Sequence, residues 1–129
     1  MKKRYKVLII IVFILLSIGL AGKLMIDKIE KDLASVMLIE ITDVDLNTIS
    51  DGTYTGSYKK TPIEVQVRIT VLNHIITHIE ITKHVTGQGQ PAEVIIEDVI
   101  LEQSLDVDLV SGATYSSKII LLAIQDALS

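Results

Sequence analysis

Between Ile63 and Val71 the chain alternates strictly. Ile63, Val65, Val67, Ile69 and Val71 are apolar, and Glu64, Gln66, Arg68 and Thr70 between them are polar. A period of two predicts a strand with one buried and one solvated face, as in an antiparallel sheet. Asn73-His74 reads as a tight turn, and Ile75, Thr77, Ile79 and Ile81 fall on one face of a returning strand. The pair predicts a β-hairpin. Upstream, Asp51-Gly52 marks a turn into Thr53, Tyr54 and Thr55, which suit a further strand. Downstream the period lengthens. Pro91 fits the first turn of a helix over 91–104, with Ala92, Ile95, Ile96 and Val99 on one stripe. A final helix is predicted from Ser116 to Leu128, with Ile119, Ile120, Ala123, Ile124 and Ala127 on its apolar side. Strands followed by helices give the α+β class, a small antiparallel sheet with helices.

The N-terminal pattern is different, because it is apolar on every side. "VLIIIVFILLSIGLA", Val7 to Ala21, follows Lys2, Lys3, Arg4 and Lys6. A basic flank before an apolar run marks a signal peptide or a signal anchor. Val7 to Gly22 is about 24 Å of helix, short of the roughly 30 Å hydrocarbon core. Extending to Ile26, with Lys23 reaching the interface, gives about 30 Å. The length favours an uncleaved transmembrane helix, residues 1–26, although Gly19-Leu20-Ala21 also offers a cleavage site after Ala21. With no cysteine, a lipid-anchored lipoprotein is excluded. Residues 27–45 are expected to be a stalk or linker. Ile29, Leu33, Val36 and Met37 lie at helical spacing there, so the same stretch also reads as a first helix of the domain. The folded domain is expected over 46–129.

Charge orients this arrangement. Residues 24–129 hold seven of the 12 basic residues and all 16 acidic ones, a net of −9. The basic N-terminus is expected to stay in the cytoplasm and the acidic part to lie outside it. An acidic domain argues against nucleic-acid binding, whose phosphates need a basic face. No disulfide holds the domain together, so it must fold on its core, or on core plus cofactor. The three histidines, His74, His78 and His84, show no metal-ligand spacing. The carboxylates show no acid/base pairing, so no hydrolase is indicated and no catalytic residue is assigned. "GQGQP" lacks the Gly-Lys-Ser/Thr ending of a phosphate loop.

The candidate chemistry lies in "DLVSGATYSSKIILLAIQDAL", where a turn of small residues runs into the final helix. Asp108 to Thr114 resembles the flavinylation motif of the FMN-binding domain family, roughly D-x-x-[ST]-G-A-[ST]. That family includes the flavoprotein subunit of sodium-pumping quinone reductases and small exported electron carriers. "DGTYTGSY" resembles the family's opening strand, and "HVTGQGQPAE" its glycine-containing loop, without the fuller Glu-Thr-Pro-Gly pattern of some members. The resemblance covers about Leu46 to Ser129. It implies FMN as cofactor, joined through its phosphate to the hydroxyl of Thr114 by a flavin transferase. Further implied partners are the membrane and redox partner proteins or a quinone-linked oxidoreductase. An electron carrier or redox subunit is implied rather than a stand-alone enzyme.

The residue types suit that chemistry. A phosphoester needs a hydroxyl, and small neighbours, Gly112 and Ala113, let a modifying enzyme reach it. The start of a helix favours a phosphate, through unpaired N–H groups and the dipole. Ser111, Ser116 and Ser117 are candidate hydroxyl donors, and Tyr115 a candidate to stack on the isoalloxazine. Asp108 is expected to be read by the transferase or to fix the turn, since like charges repel. His84, Gly87 and Gly89 complete the candidate cofactor-binding set. Two other readings remain. Thr114 could be only a helix N-cap in a membrane-anchored interaction module, or the domain could bind FMN without a covalent bond.

Overall fold

The computed structural model describes residues 1–129, which form two units, Met1–Lys31 and Asp32–Ser129. The first lies within helix α1, Lys2–Met37, whose residues 2–28 leave their apolar side chains exposed. α1 is long and apolar enough to cross a membrane.

The second unit is a three-stranded antiparallel sheet with helices on one face. Strands β1, Gly52–Lys60, β2, Ile63–Leu72, and β3, Ile75–Val85, lie in the order β1-β2-β3. Helix α2, Ile95–Glu102, packs against β3, and helix α3, Thr114–Leu128, packs against β1 and β2. The α+β architecture read from the sequence is the one observed. Short 3-10 helices at Leu46–Thr48 and Gln90–Val94 precede β1 and α2.

β2 keeps its alternation. Ile63, Val65, Val67, Ile69 and Val71 are buried, and the residues between them carry the polar outer face. There Arg68 pairs with Glu80 at 2.9 Å and Lys83 with Glu64 at 3.1 Å. Asn73 and His74, at φ 52° and 62°, form a two-residue turn with both centres left-handed, which matches the twist of a hairpin.

β3 departs from the expected face. Ile76, not Ile75, is buried, together with Ile79. The register shifts twice against β2, leaving Thr77 and Thr82 without Cα partners. Each adds one residue to β3, as in a β-bulge, and so reverses which side chains face inward. Both bulged threonines donate their hydroxyls to carbonyls of β2, Thr77 to Thr70 and Thr82 to Gln66, each at 3.2 Å. The second bulge carries His84 to the inner face, where its side chain is 4% exposed.

From Asp32 onward the chain belongs to the compact unit. Val36 is buried and Leu33, Ile41 and Val44 pack on the core. Asp43 accepts from the Leu105 amide at 2.9 Å and the Ser104 hydroxyl at 2.7 Å. These bonds hold its carboxyl below the usual carboxylate range, the Leu105 amide contributing most. The Thr42 amide donates to Gln125 of α3 at 3.1 Å. A polar-looking segment thus joins the fold through backbone and side-chain bonds as well as through apolar burial.

α3 is the centre of the core. Every residue from Ile119 to Ile124 is buried, more than one face of a surface helix would require. Gly56 of β1 makes this possible, because a Cβ there would collide with the α3 backbone at Ala123 and Ala127. α2 ends at Gln103, which is left-handed at φ 52°. Its side-chain amide pairs with both the N–H and C=O of Ile76, at 2.7 and 2.9 Å, next to the first bulge.

Candidate flavin-attachment site at the start of α3

Thr114 is the first residue of α3, and Ala113 before it is the N-cap. This removes the reading of Thr114 as the cap. Ala113 has no side chain able to cap, and no other side chain does so. The first turn also contains no acidic residue. The helix start therefore keeps its partial positive charge and amide donors without a side-chain cap, the arrangement that suits a phosphate. Thr114 is exposed, as are Ser111 and Gly112 before it, whereas Ala113 is buried. Gly112 is left-handed at φ 78°, a conformation glycine adopts without the Cβ penalty. The Val110–Ala113 turn is closed by the Ala113 amide donating to the Val110 carbonyl at 3.0 Å.

The serines of the first turn are occupied elsewhere. Ser117 accepts from the Val110 amide at 3.0 Å and donates to the Ala113 carbonyl at 2.8 Å. It stitches the turn to the helix, so its proton is directed to protein. Ser116 is 2% exposed. Its hydroxyl lies 3.3 Å from His84 Nε2 and 3.1 Å from Thr86 Oγ1. His84 Nδ1 in turn lies 2.9 Å from Glu93 Oε1, and the Gly89 amide donates to Thr86 Oγ1 at 3.0 Å. A Cβ on Gly89 would overlap the Ser116 hydroxyl and Thr86 Oγ1. The glycine therefore allows close approach between loop and helix, rather than an unusual turn.

Of the residues singled out in the sequence, the structure brings together Ser111–Ser116 with His84 and Gly89. Tyr115 is 40% exposed beside Thr114, accessible for stacking. Gly87 stands apart: a side chain there would meet open space. Asp108 is exposed in the segment leading to the turn. Two contributors, Thr86 and Glu93, were not anticipated, and one candidate, Ser117, has a different role. Thr86 and Glu93 join through His84 and Ser116, and Ser117 acts as a turn stitch instead of a free donor. Their local sequence carries no signal of this, because the contacts span up to 32 residues and depend on the bulge at Thr82.

These residues fit a flavin phosphate: one exposed hydroxyl, small neighbours and an uncapped helix start. No curated protein matches the chain. The model of the FMN-binding domain family matches residues 58–129, which takes in β2, β3, the Thr86–Gly89 loop and all of α3. The chain belongs to the FMN-binding domain family, and its cofactor is FMN.

Proposed function

We propose that this protein is a membrane-anchored electron carrier, its FMN joined by a phosphoester to Thr114 and its domain outside the cytoplasm. The observation that carries the reading is Thr114 itself, an exposed hydroxyl on the first residue of a helix that no side chain caps. An anion there gains the first-turn amides and the helix dipole. Forming the ester requires an activated donor. The Thr114 Oγ–P bond forms as the phosphoanhydride of a flavin dinucleotide breaks, a nucleoside monophosphate leaves, and the hydroxyl proton passes to a base of the transferase. Bound FMN supplies the redox chemistry, while the domain holds and orients it. A covalent bond suits a carrier facing the medium, where a dissociating cofactor would be lost. The apolar helix within α1, preceded by four basic residues, supports an anchor with its N-terminus in the cytoplasm. It would hold the domain beside a membrane oxidoreductase that passes electrons to an acceptor outside.

The test is the intact mass and in-gel fluorescence of the full chain, produced in a host with a flavin transferase, beside Thr114→Val. An FMN-sized mass gain and a fluorescent denatured band in the wild type alone are expected. An unmodified wild-type mass, with a control substrate flavinylated in the same cells, overturns the covalent reading.

A further inference from the structure

The geometry points to His84 as a positioning residue for flavin attachment, acting through its hydrogen bond to Ser116 in the first turn of α3. The inference rests on the assignment of Thr114 as the attachment point and goes beyond it.

One assignment of donors and acceptors, a one-way chain from the Gly89 amide to His84, satisfies every group. The Gly89 amide can only donate, so Thr86 Oγ1 accepts from it. Thr86 then has a proton for Ser116 Oγ, and Ser116 has one for His84 Nε2. For Nε2 to accept in the neutral ring, the proton must sit on Nδ1, which faces the Glu93 carboxylate. Every group in the chain is then satisfied, and Glu93, the most exposed of them, fixes the tautomer. The effect is to tie the Thr86–Gly89 loop, the inner face of β3 and the third residue of α3 to one another. Thr114 lies two residues before Ser116 on the same helical turn, with no capping bond of its own. What fixes the direction of that turn is therefore the bonding of Ser116 and Ser117. Ser117 orients it from the Val110 side and Ser116 from the His84 side. Neither serine spends its hydroxyl proton outward, so a phosphoryl group at Thr114 meets backbone amides held in place from two sides.

The experiment measures the rate of FMN attachment to the full chain by purified transferase with a flavin dinucleotide, read as intact mass. The variants are His84→Leu, His84→Gln, Ser116→Ala and the His84→Leu/Ser116→Ala double. Leucine fills the space without accepting a hydrogen bond, and glutamine offers an acceptor near the Nε2 position. His84→Leu and Ser116→Ala should each slow attachment about tenfold, the loss of one buried hydrogen bond. The double variant should be no slower than either, because both act through one contact. His84→Gln should stay within about threefold of wild type, by the same hydrogen-bond logic. In the unmodified wild type, ¹⁵N shifts of the ring should show a protonated Nδ1 and an unprotonated Nε2. Wild-type rates in His84→Leu or Ser116→Ala, additive losses in the double, a glutamine variant as slow as leucine, or a protonated Nε2 would each overturn the proposal. If His84→Leu does not fold, Ser116→Ala, His84→Gln and the ring shifts decide it. A wild-type chain that gains no FMN fails at the earlier step and overturns both readings. A modified wild type with unaffected variants overturns this one alone.

Discussion

Gly89 and Gly112 stand on either side of the same helix start, yet a methyl group would act differently at each. At Gly89 it would overlap the Ser116 hydroxyl, and the loop would have to move away from α3. At Gly112 it would meet open space but sit at φ 78°. Gly112→Ala should cost about 1–2 kcal/mol, the left-handed penalty alone. Gly89→Ala should cost about 1–3 kcal/mol from overpacking and also slow FMN attachment. Urea unfolding with attachment rates separates the two. Thr114 gives a third contrast. Because Ala113 is the cap, Thr114→Val should change stability by no more than about 0.5 kcal/mol, as at an ordinary surface site, while abolishing attachment. Thr114→Ser should retain attachment. A loss near 2 kcal/mol in urea melts of Thr114→Val would instead indicate a capping role.

Among the elements, β2 was legible in sequence because nothing interrupts its period of two. β3 was legible as a strand but not in its facing. A bulge adds a residue without altering composition, and Thr77 and Thr82 look like any other strand threonines. His84 was therefore read as a loop histidine, although it points inward and is nearly enclosed. α3 was placed two residues late, because Thr114 was read as a candidate cap, whereas Ala113 is the cap and Ser116 and Ser117 lie buried within the first turn. The motif itself could be read because all its residues are contiguous. The supporting shell could not, because it is assembled from β3, the Gln90–Val94 turn and α3. Gly56 is the element-scale counterpart of the site glycines. Gly56→Ala would push α3 off β1 at Ala123 and Ala127. It should destabilise by about 1–3 kcal/mol or more, measured as a lower urea midpoint.

For the molecule as a whole, the segment after α1 is fastened to the domain partly by one exposed carboxylate. Asp43 has a folded pKa below its ordinary value, chiefly through the Leu105 amide and then the Ser104 hydroxyl. A depressed carboxylate pKa adds stability that is fully present above the unfolded value. That contribution is lost as pH falls through the folded one. Asp43→Asn should therefore be less stable than wild type at pH 7. The difference should shrink as pH falls from the usual aspartate pKa through the lower folded value, and vanish below the folded value. Thermal melts across pH would show this, and a constant difference would show that the carboxylate's charge is not involved. In residues 32–45 the apolar spacing of Leu33 and Val36 could be read in sequence, whereas the bonds through Asp43 and from the Thr42 amide to Gln125 are contacts that apolar periodicity does not register.

α3 also sets an order of events. It supplies the buried run Ile119–Ile124 that covers β1 and β2, and its first residue is the proposed acceptor. The strands are made before it, so their apolar face stays bare until α3 has left the ribosome and docked. A short helix has little stability away from its packing surface. The helix start at Thr114 thus depends on completed folding and is only marginally formed on a nascent or misassembled chain. A transferase that reads that start would mark mainly finished domains, and the flavin content of a preparation would then count the molecules that folded.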